Sequence, residues 1–234
     1  MLSRLVLFLL VANVGSVANS QDWSGWGGVS QNNNVNGVIW DDVRGNSVPV
    51  SGGLLDLPAV SLEPDAFSFS PSSEVRAYVQ SEFSGMLEED RPDLANLFAD
   101  PRVMNVLIKG QEAYGLAADD VADTMTAYLM EMQGVASGRL VDPDPAMAAG
   151  IRDQVVSFLA VKSGKRTPAE KDLQAASDTM LLRRGLIGVM YEFALKSGSA
   201  HEVSNLARQQ GLEEFGIDLS QVEITKHGFV STNR

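Results

Sequence analysis

The stretch from Thr167 to Ser197 constrains the fold most, because it has the pattern of one long helix whose second half is apolar on nearly every side. Thr167-Pro168-Ala169-Glu170 is a capping box with proline at the first helical position, and Gly198 is a typical C-terminal stop. A helix of about 30 residues spans about 45 Å, enough to cross a small domain. We therefore expect a buried central helix.

Two glycines, Gly185 and Gly188, interrupt this helical pattern. Each costs about 1 kcal/mol relative to alanine in a helix interior. We interpret them as positions where a neighbouring helix comes close. The alternative is a kink between two shorter helices.

Shorter amphipathic patterns surround the central helix. Helix starts are indicated near Ser72, Asp93, Asp100, Asp119 or Asp120, Pro145 and Ser199, and residues 222–230 alternate like a strand or hairpin. The sequence thus predicts an all-α fold, a compact bundle of about six helices around one long central helix, with a short C-terminal strand or hairpin.

The first 20 residues have the three parts of a secretory signal peptide. Arg4 gives a positive start, Leu5 to Val14 form a short apolar run, and Ala18-Asn19-Ser20 is a small-residue cleavage site. We expect cleavage after Ser20 and export to the periplasm or the medium. The remaining chain divides into an arm, residues 21–70, and a helical domain, residues 71–234.

The arm is rich in Gly, Asn and Ser, and it holds the three tryptophans, Trp23, Trp26 and Trp40. Because it has no sustained apolar periodicity, we expect it to be largely disordered and its removal to leave stability nearly unchanged. The tryptophans either anchor a partner or fold back onto the domain.

Charge and composition exclude several classes of function. The formal net charge is -12, so nothing in the charge favours nucleic acid or an anionic membrane as a partner, and no stable membrane insertion is expected. The chain has no cysteine, which excludes disulfides, thiol catalysis and thiolate metal sites.

The densest polar cluster is Tyr114, Asp119, Asp120, Asp123 and Tyr128. Paired carboxylates can perform acid/base chemistry or hold a hard cation, but acids in a first helical turn also cap the helix. We interpret Asp119 and Asp120 as caps. Asp123 lies one turn further in and is less easily explained.

Arg183 and Arg184 interrupt the apolar half of the central helix, so at least one is expected to point into the bundle. A buried arginine needs a carboxylate partner, and we predict that Asp123 is this partner. The alternative is that both guanidinium groups extend to solvent.

The sequence favours a non-enzymatic, exported protein-interaction domain without a cofactor or metal. It has no nucleophile elbow, phosphate loop or dinucleotide motif, and His201 and His227 lack a second ligand at metal spacing, so both are expected at the surface. Two alternatives remain: a hydrolase with Asp123 or Glu131 as its acid, and a domain that binds calcium through Asp119, Asp120 and Asp123.

Two stretches resemble a family of exported bacterial proteins known as a domain of unknown function. They are Tyr114-Gly115-Leu116 through Asp120-Val121-Ala122-Asp123 to Tyr128, and Gly216-Ile217-Asp218-Leu219 through Gly228-Phe229-Val230. The resemblance covers residues 73–230. It implies a signal peptide, a variable low-complexity arm and a compact helical domain, and it carries no established activity.

Overall fold

The computed structural model of the chain describes residues 53–55, 57, 65–139, 144–163 and 168–232. These ranges contain seven α-helices, a 3-10 turn (Leu219–Gln221) and two strands: α1 (Ser73–Leu87), α2 (Pro92–Ala99), α3 (Pro101–Glu112), α4 (Val121–Ser137), α5 (Pro145–Ser163), α6 (Glu170–Ser197), α7 (Ala200–Phe215), β1 (Val222–Thr225) and β2 (Gly228–Ser231). The predicted all-α class with a C-terminal hairpin is confirmed, with seven helices instead of about six.

The predicted central helix is α6, which runs from Glu170 to Ser197 as one α-helix. It ends where Gly198 takes the left-handed conformation, with φ of 80°. A Cβ atom on Gly185 would lie 2.9 Å from the Leu107 side chain and 3.3 Å from that of Phe98. Gly185 therefore allows α2 and α3 to approach, as predicted. The proposed cap at Thr167 lies outside the described residues. The helix begins at Glu170 with Ala169 as its N-cap, so the prediction that Pro168 is the first helical residue is wrong.

Helix α4 shares the centre of the molecule with α6, which the sequence did not indicate. Fourteen of its 17 residues are buried, and it contacts α5, α6 and α7. Asp120 caps it by accepting a hydrogen bond from the Asp123 amide at 3.0 Å, and Gly138 ends it in the left-handed conformation. The core thus forms around two adjacent helices, and the other helices cover them.

The C-terminal hairpin is attached to α5. β1 and β2 are antiparallel, with Val222 opposite Ser231. The Gln154 amide donates to the Phe229 carbonyl at 3.0 Å and accepts from the Phe229 N–H at 2.8 Å, as a neighbouring strand would. A Cβ atom on Gly150 would lie 2.5 Å from the Gly228 nitrogen, so this glycine is required for the close approach.

Part of the predicted arm belongs to the folded core. Leu54, Phe67 and Phe69 are 1%, 6% and 6% exposed, and the Leu54 N–H donates to the Phe215 carbonyl at 3.0 Å. The domain boundary predicted at residue 71 therefore cuts through a packed segment. Residues 21–52, which include all three tryptophans, lie outside the described residues.

Membrane insertion can be assessed for the described helices. None of the helices in the described ranges is long and apolar enough to cross a membrane.

We predict that Leu54→Ala lowers the free energy of unfolding by about 2–5 kcal/mol, because it leaves a cavity at a fully buried site. Leu212→Ala is the matched control, since Leu212 is 46% exposed on α7, and its cost should stay below about 1 kcal/mol. Urea unfolding of both variants measures the difference. Equal, small losses would restore the expectation that the whole arm is dispensable.

Candidate functional site

The predicted site residues occupy three separate places in the structure. Asp119, Asp120 and Asp123 lie at the start of α4. Tyr128 and Arg183 meet on the side of the core that faces α7, and Arg184 extends towards α3 near Tyr114. The predicted single cluster is therefore three distinct arrangements, each with its own partners.

At the start of α4, Asp120 and Asp123 share one arginine from α5. The Arg152 Nε donates to Asp123, and its Nη2 lies 3.5 Å from Asp120. Asp120 also accepts from the Ser68 hydroxyl at 3.0 Å, and Asp123 accepts from the Ala117 N–H at 2.7 Å. The predicted pairing of Asp123 with Arg183 or Arg184 is therefore wrong, because Arg152 is the nearer cation.

Arg152 could have been found in the sequence. It is the only basic residue between Pro145 and Val161, a stretch of mostly small and apolar side chains. An isolated arginine in such a stretch raises the question of its carboxylate partner. Which acid is that partner does not follow from the sequence, because α4 and α5 are separate helices.

Burial raises the pKa of Asp123, and the nearby Asp120 carboxylate adds to the effect. The Ala117 N–H and Arg152 favour the charged form and oppose the shift. Both Asp123 oxygens already accept hydrogen bonds, from Ala117 and from Arg152. Burial therefore favours the protonated form of Asp123 by raising its pKa, but both of its oxygens are engaged in holding the start of α4.

The calcium alternative is not supported by the geometry of the three acids. Asp119 is exposed, while Asp120 and Asp123 turn towards Arg152, whose cation occupies the position between them. Among the residues that the structure describes, no group of three or more Asp, Glu, His or Cys side chains could hold a metal ion. His201 and His227 are exposed, as predicted.

Arg183 joins α6 to α7 through Glu214. It makes two hydrogen bonds to the Glu214 carboxylate, and its Cζ atom lies 5.1 Å from the centre of the Tyr128 ring. The arrangement combines a bidentate ion pair with a cation–π contact. Burial raises the pKa of Tyr128 well above its usual range, so its hydroxyl stays neutral. These residues fix the packing of α7 on the core.

Arg184 is the arginine that points into the bundle, at 8% exposure. Its Nη2 donates to the Leu107 carbonyl at 3.0 Å. Burial lowers its pKa, while the electrostatic influence of Glu131 and Tyr114 opposes the shift. The alternative that both arginines extend to solvent is therefore wrong. Glu131, the second candidate acid, lies close enough to Arg184 to stabilise its charge.

A chain of buried polar groups holds the loop between α3 and α4 and was missed in the sequence. The Gln111 amide donates to the Ala117 carbonyl at 2.6 Å and to the Thr124 hydroxyl at 3.1 Å. The Thr124 hydroxyl lies 2.8 Å from the Ser177 hydroxyl, which also contacts the Ala118 carbonyl at 3.4 Å. The loop that carries Asp119 and Asp120 is therefore rigidly positioned before α4 begins.

We predict that Arg152→Met lowers the free energy of unfolding by about 2 kcal/mol or more, because two buried carboxylates lose their common cation. Arg208→Met is the control: Arg208 pairs with Asp218 but is 51% exposed, so the loss should stay below about 1 kcal/mol. Chemical denaturation measures both. In a double-mutant cycle, Asp123→Asn should couple to Arg152→Met and add independently to Arg183→Met.

The stability of the protein should depend on pH through Asp178, whose side chain is fully buried between α1 and α6. Burial raises the pKa of Asp178, and Arg76 and Gln174 oppose the shift without reversing it. The native state therefore keeps this proton above the pH of about 4 at which an unfolded aspartate titrates. Between those two values the native state binds more protons, so the Asp178 contribution to stability falls as the pH rises.

The measurement compares wild type with Asp178→Asn, which has nearly the same shape and does not titrate. The urea midpoint of wild type should fall more steeply above pH 4 than that of the variant. Hydrogen bonds from Arg102 lower the pKa of Asp100 to about 2, so the contribution of Asp100 to stability rises with pH. This contribution is the same in wild type and in the variant and does not affect their difference. Parallel pH profiles would show that Asp178 does not contribute.

The chain matches no protein-family model, no curated protein and no solved structure. The family resemblance in residues 73–230 stays a prediction.

Proposed function

We propose that this chain is an exported, non-enzymatic domain that binds a protein partner. The observation that carries the proposal is the engagement of the candidate acids and arginines. Asp120 and Asp123 hold the start of α4, Arg183 holds α7, and Arg184 holds α3. Each of these four side chains stabilises the contact between two elements.

Export is the part of the proposal that rests on the sequence. The first 20 residues have the charge, apolar run and small-residue site of a signal peptide. The tryptophans that follow it are large amphipathic side chains of the kind that anchor interfaces. They support binding through the arm, in addition to binding through the helical domain.

One observation favours the hydrolase alternative. Burial raises the pKa of Asp123, and an acid with a raised pKa beside a second carboxylate is the arrangement that many acid/base enzymes use. However, Asp123 is 7% exposed, and a general acid must reach the atom that it protonates. The acid would have to leave Ala117 and Arg152 before it could act.

The experiment measures turnover and partner binding with one preparation of the exported chain. Wild type should show no turnover of peptidoglycan, peptide, ester or phosphate substrates. It should also cross-link to a partner in the exported fraction, and Trp23→Ala/Trp26→Ala/Trp40→Ala should lower the yield at least about tenfold if the arm carries the anchors.

Leu212→Ala serves as the matched control for cross-linking, because it removes an exposed apolar side chain from another surface. Turnover that Asp123→Asn abolishes while the protein stays folded would overturn the proposal in favour of the hydrolase. Absence of any partner-specific cross-link with the wild-type chain would also count against it.

A further inference from the structure

Residues 65–70 pack against the start of α4 and α6. We call the surface that they cover, defined by Asp119, Asp120, Val121 and Glu170, the groove. The Phe69 N–H donates to the Asp119 carbonyl at 2.9 Å, and the Val121 N–H donates to the Phe67 carbonyl at 3.0 Å, which forms one antiparallel bridge. Phe67 and Phe69 are buried on either side of Ser68.

The groove presents hydrogen-bond acceptors to the segment that lies in it. The Asp120 carboxylate accepts from the Ser68 hydroxyl at 3.0 Å, and the Glu170 carboxylate accepts from the Ser70 N–H at 3.0 Å. Asp119 is exposed beside them. Residues 65–70 read Asp-Ala-Phe-Ser-Phe-Ser and contain no basic side chain, so their charge has the same sign as that of the groove.

The groove is held in place by contacts that do not involve this segment. Gln111 and Asp123 fix the loop at Ala117, and Ser177 contacts the carbonyl of Ala118. Arg152 fixes the two carboxylates from the other side. A site whose walls are already positioned loses little entropy when a ligand binds.

We infer that this groove is a peptide-binding site which the chain fills with its own residues 65–70, and whose ligand in trans is a basic, extended segment of a partner protein. The contacts to the groove are backbone hydrogen bonds, one hydroxyl and two large apolar side chains, all of which an extended peptide can supply. A lysine at either end of the peptide would add the charge complementarity that residues 65–70 lack.

Residues 65–70 and a partner peptide compete for the groove, and residues 65–70 have the advantage that they are covalently linked to it. The chain's own segment has an effective concentration in the millimolar range, so an identical peptide in trans should bind wild type weakly. A partner must either bind more tightly or meet a chain whose own segment has been released. This inference rests on the proposed function, because it names the surface and the partner chemistry of the same binding domain.

The experiment uses the full chain and three labelled peptides. The first has the sequence of residues 65–72, the second carries lysine at the positions of Asp65 and Ser70, and the third carries alanine at the positions of Phe67 and Phe69. Phe67→Ala/Phe69→Ala in the full chain loosens the cis segment, and fluorescence anisotropy measures peptide binding.

The loosened variant should bind the lysine peptide at least about tenfold more tightly than wild type does. It should bind the lysine peptide more tightly than the first peptide, with the difference decreasing as salt is added. The alanine peptide should not bind. Leu212→Ala is the control chain and should behave as wild type.

A second variant tests the same contact in case the first variant does not fold. Ser68→Glu places a carboxylate against Asp120 and repels the cis segment while both phenylalanines remain. Hydrogen exchange at the Val121 amide should be faster in this variant and should slow again when the lysine peptide is added, because the peptide supplies the missing carbonyl.

If neither folded variant binds any peptide, or if the alanine peptide binds as well as the lysine peptide, the groove is not a peptide site. A chain that then still cross-links to a partner would leave the proposed function intact. Peptide binding without any cross-linked partner in the exported fraction would support the groove as a peptide site and would count against the proposed function.

Discussion

Helices α4 and α6 bury polar side chains together with apolar ones, and each buried polar group needs a partner in a region that water does not reach. Thirteen buried polar or charged residues are present in the described part of the chain. Ten of them lie in or directly before α4 and α6: Asp120, Asp123, Thr124, Thr126, Gln133, Gln174, Ser177, Asp178, Thr179 and Arg184. An unsatisfied group of this kind costs about 1–3 kcal/mol. The other elements are arranged so that they supply most of the partners.

Several surrounding elements meet one of these groups. Gln133 holds the hairpin through the Val222 carbonyl, and Gln174 makes two hydrogen bonds to the backbone of Ser72, as a strand would. Asp178 receives Arg76 from α1. Apolar burial supplies most of the free energy of folding, but it has no direction. The polar contacts therefore help to specify where these outer elements lie.

Local signals predicted the helix ends well because their physics involves only neighbouring residues. Asp100 accepts from the Arg102 N–H, Asp120 accepts from the Asp123 N–H, and Gly198 takes the left-handed conformation, all as their sequence patterns indicate. The predicted helix start at Ser199 is a partial exception, because α7 begins there without a side-chain cap. The Ser199 hydroxyl lies 2.8 Å from the Ser197 hydroxyl and does not cap α7.

The pairing of charges could not be predicted in the same way. Asp123 lies 29 positions before Arg152 and Arg183 lies 31 positions before Glu214, so each pair depends on how helices are placed in space. The sequence identified Asp123 and the two arginines, Arg183 and Arg184, as residues that need partners, and it led to the wrong prediction that Asp123 pairs with one of them. The central position of α4 did not follow from the sequence for a related reason. Its buried Asp, Thr and Gln residues give it the pattern of an amphipathic helix at the surface.

The contact between residues 65–70 and the groove contributes little net free energy to folding. Ordering the backbone of six residues costs about 6–12 kcal/mol. Burying Phe67 and Phe69 contributes about 5 kcal/mol, and the four hydrogen bonds to Asp119, Asp120, Val121 and Glu170 contribute about 4 kcal/mol. These opposing contributions nearly cancel, whereas α4 and α6 bury apolar side chains along their whole length. Local opening should therefore begin at this segment and leave the groove beneath it intact.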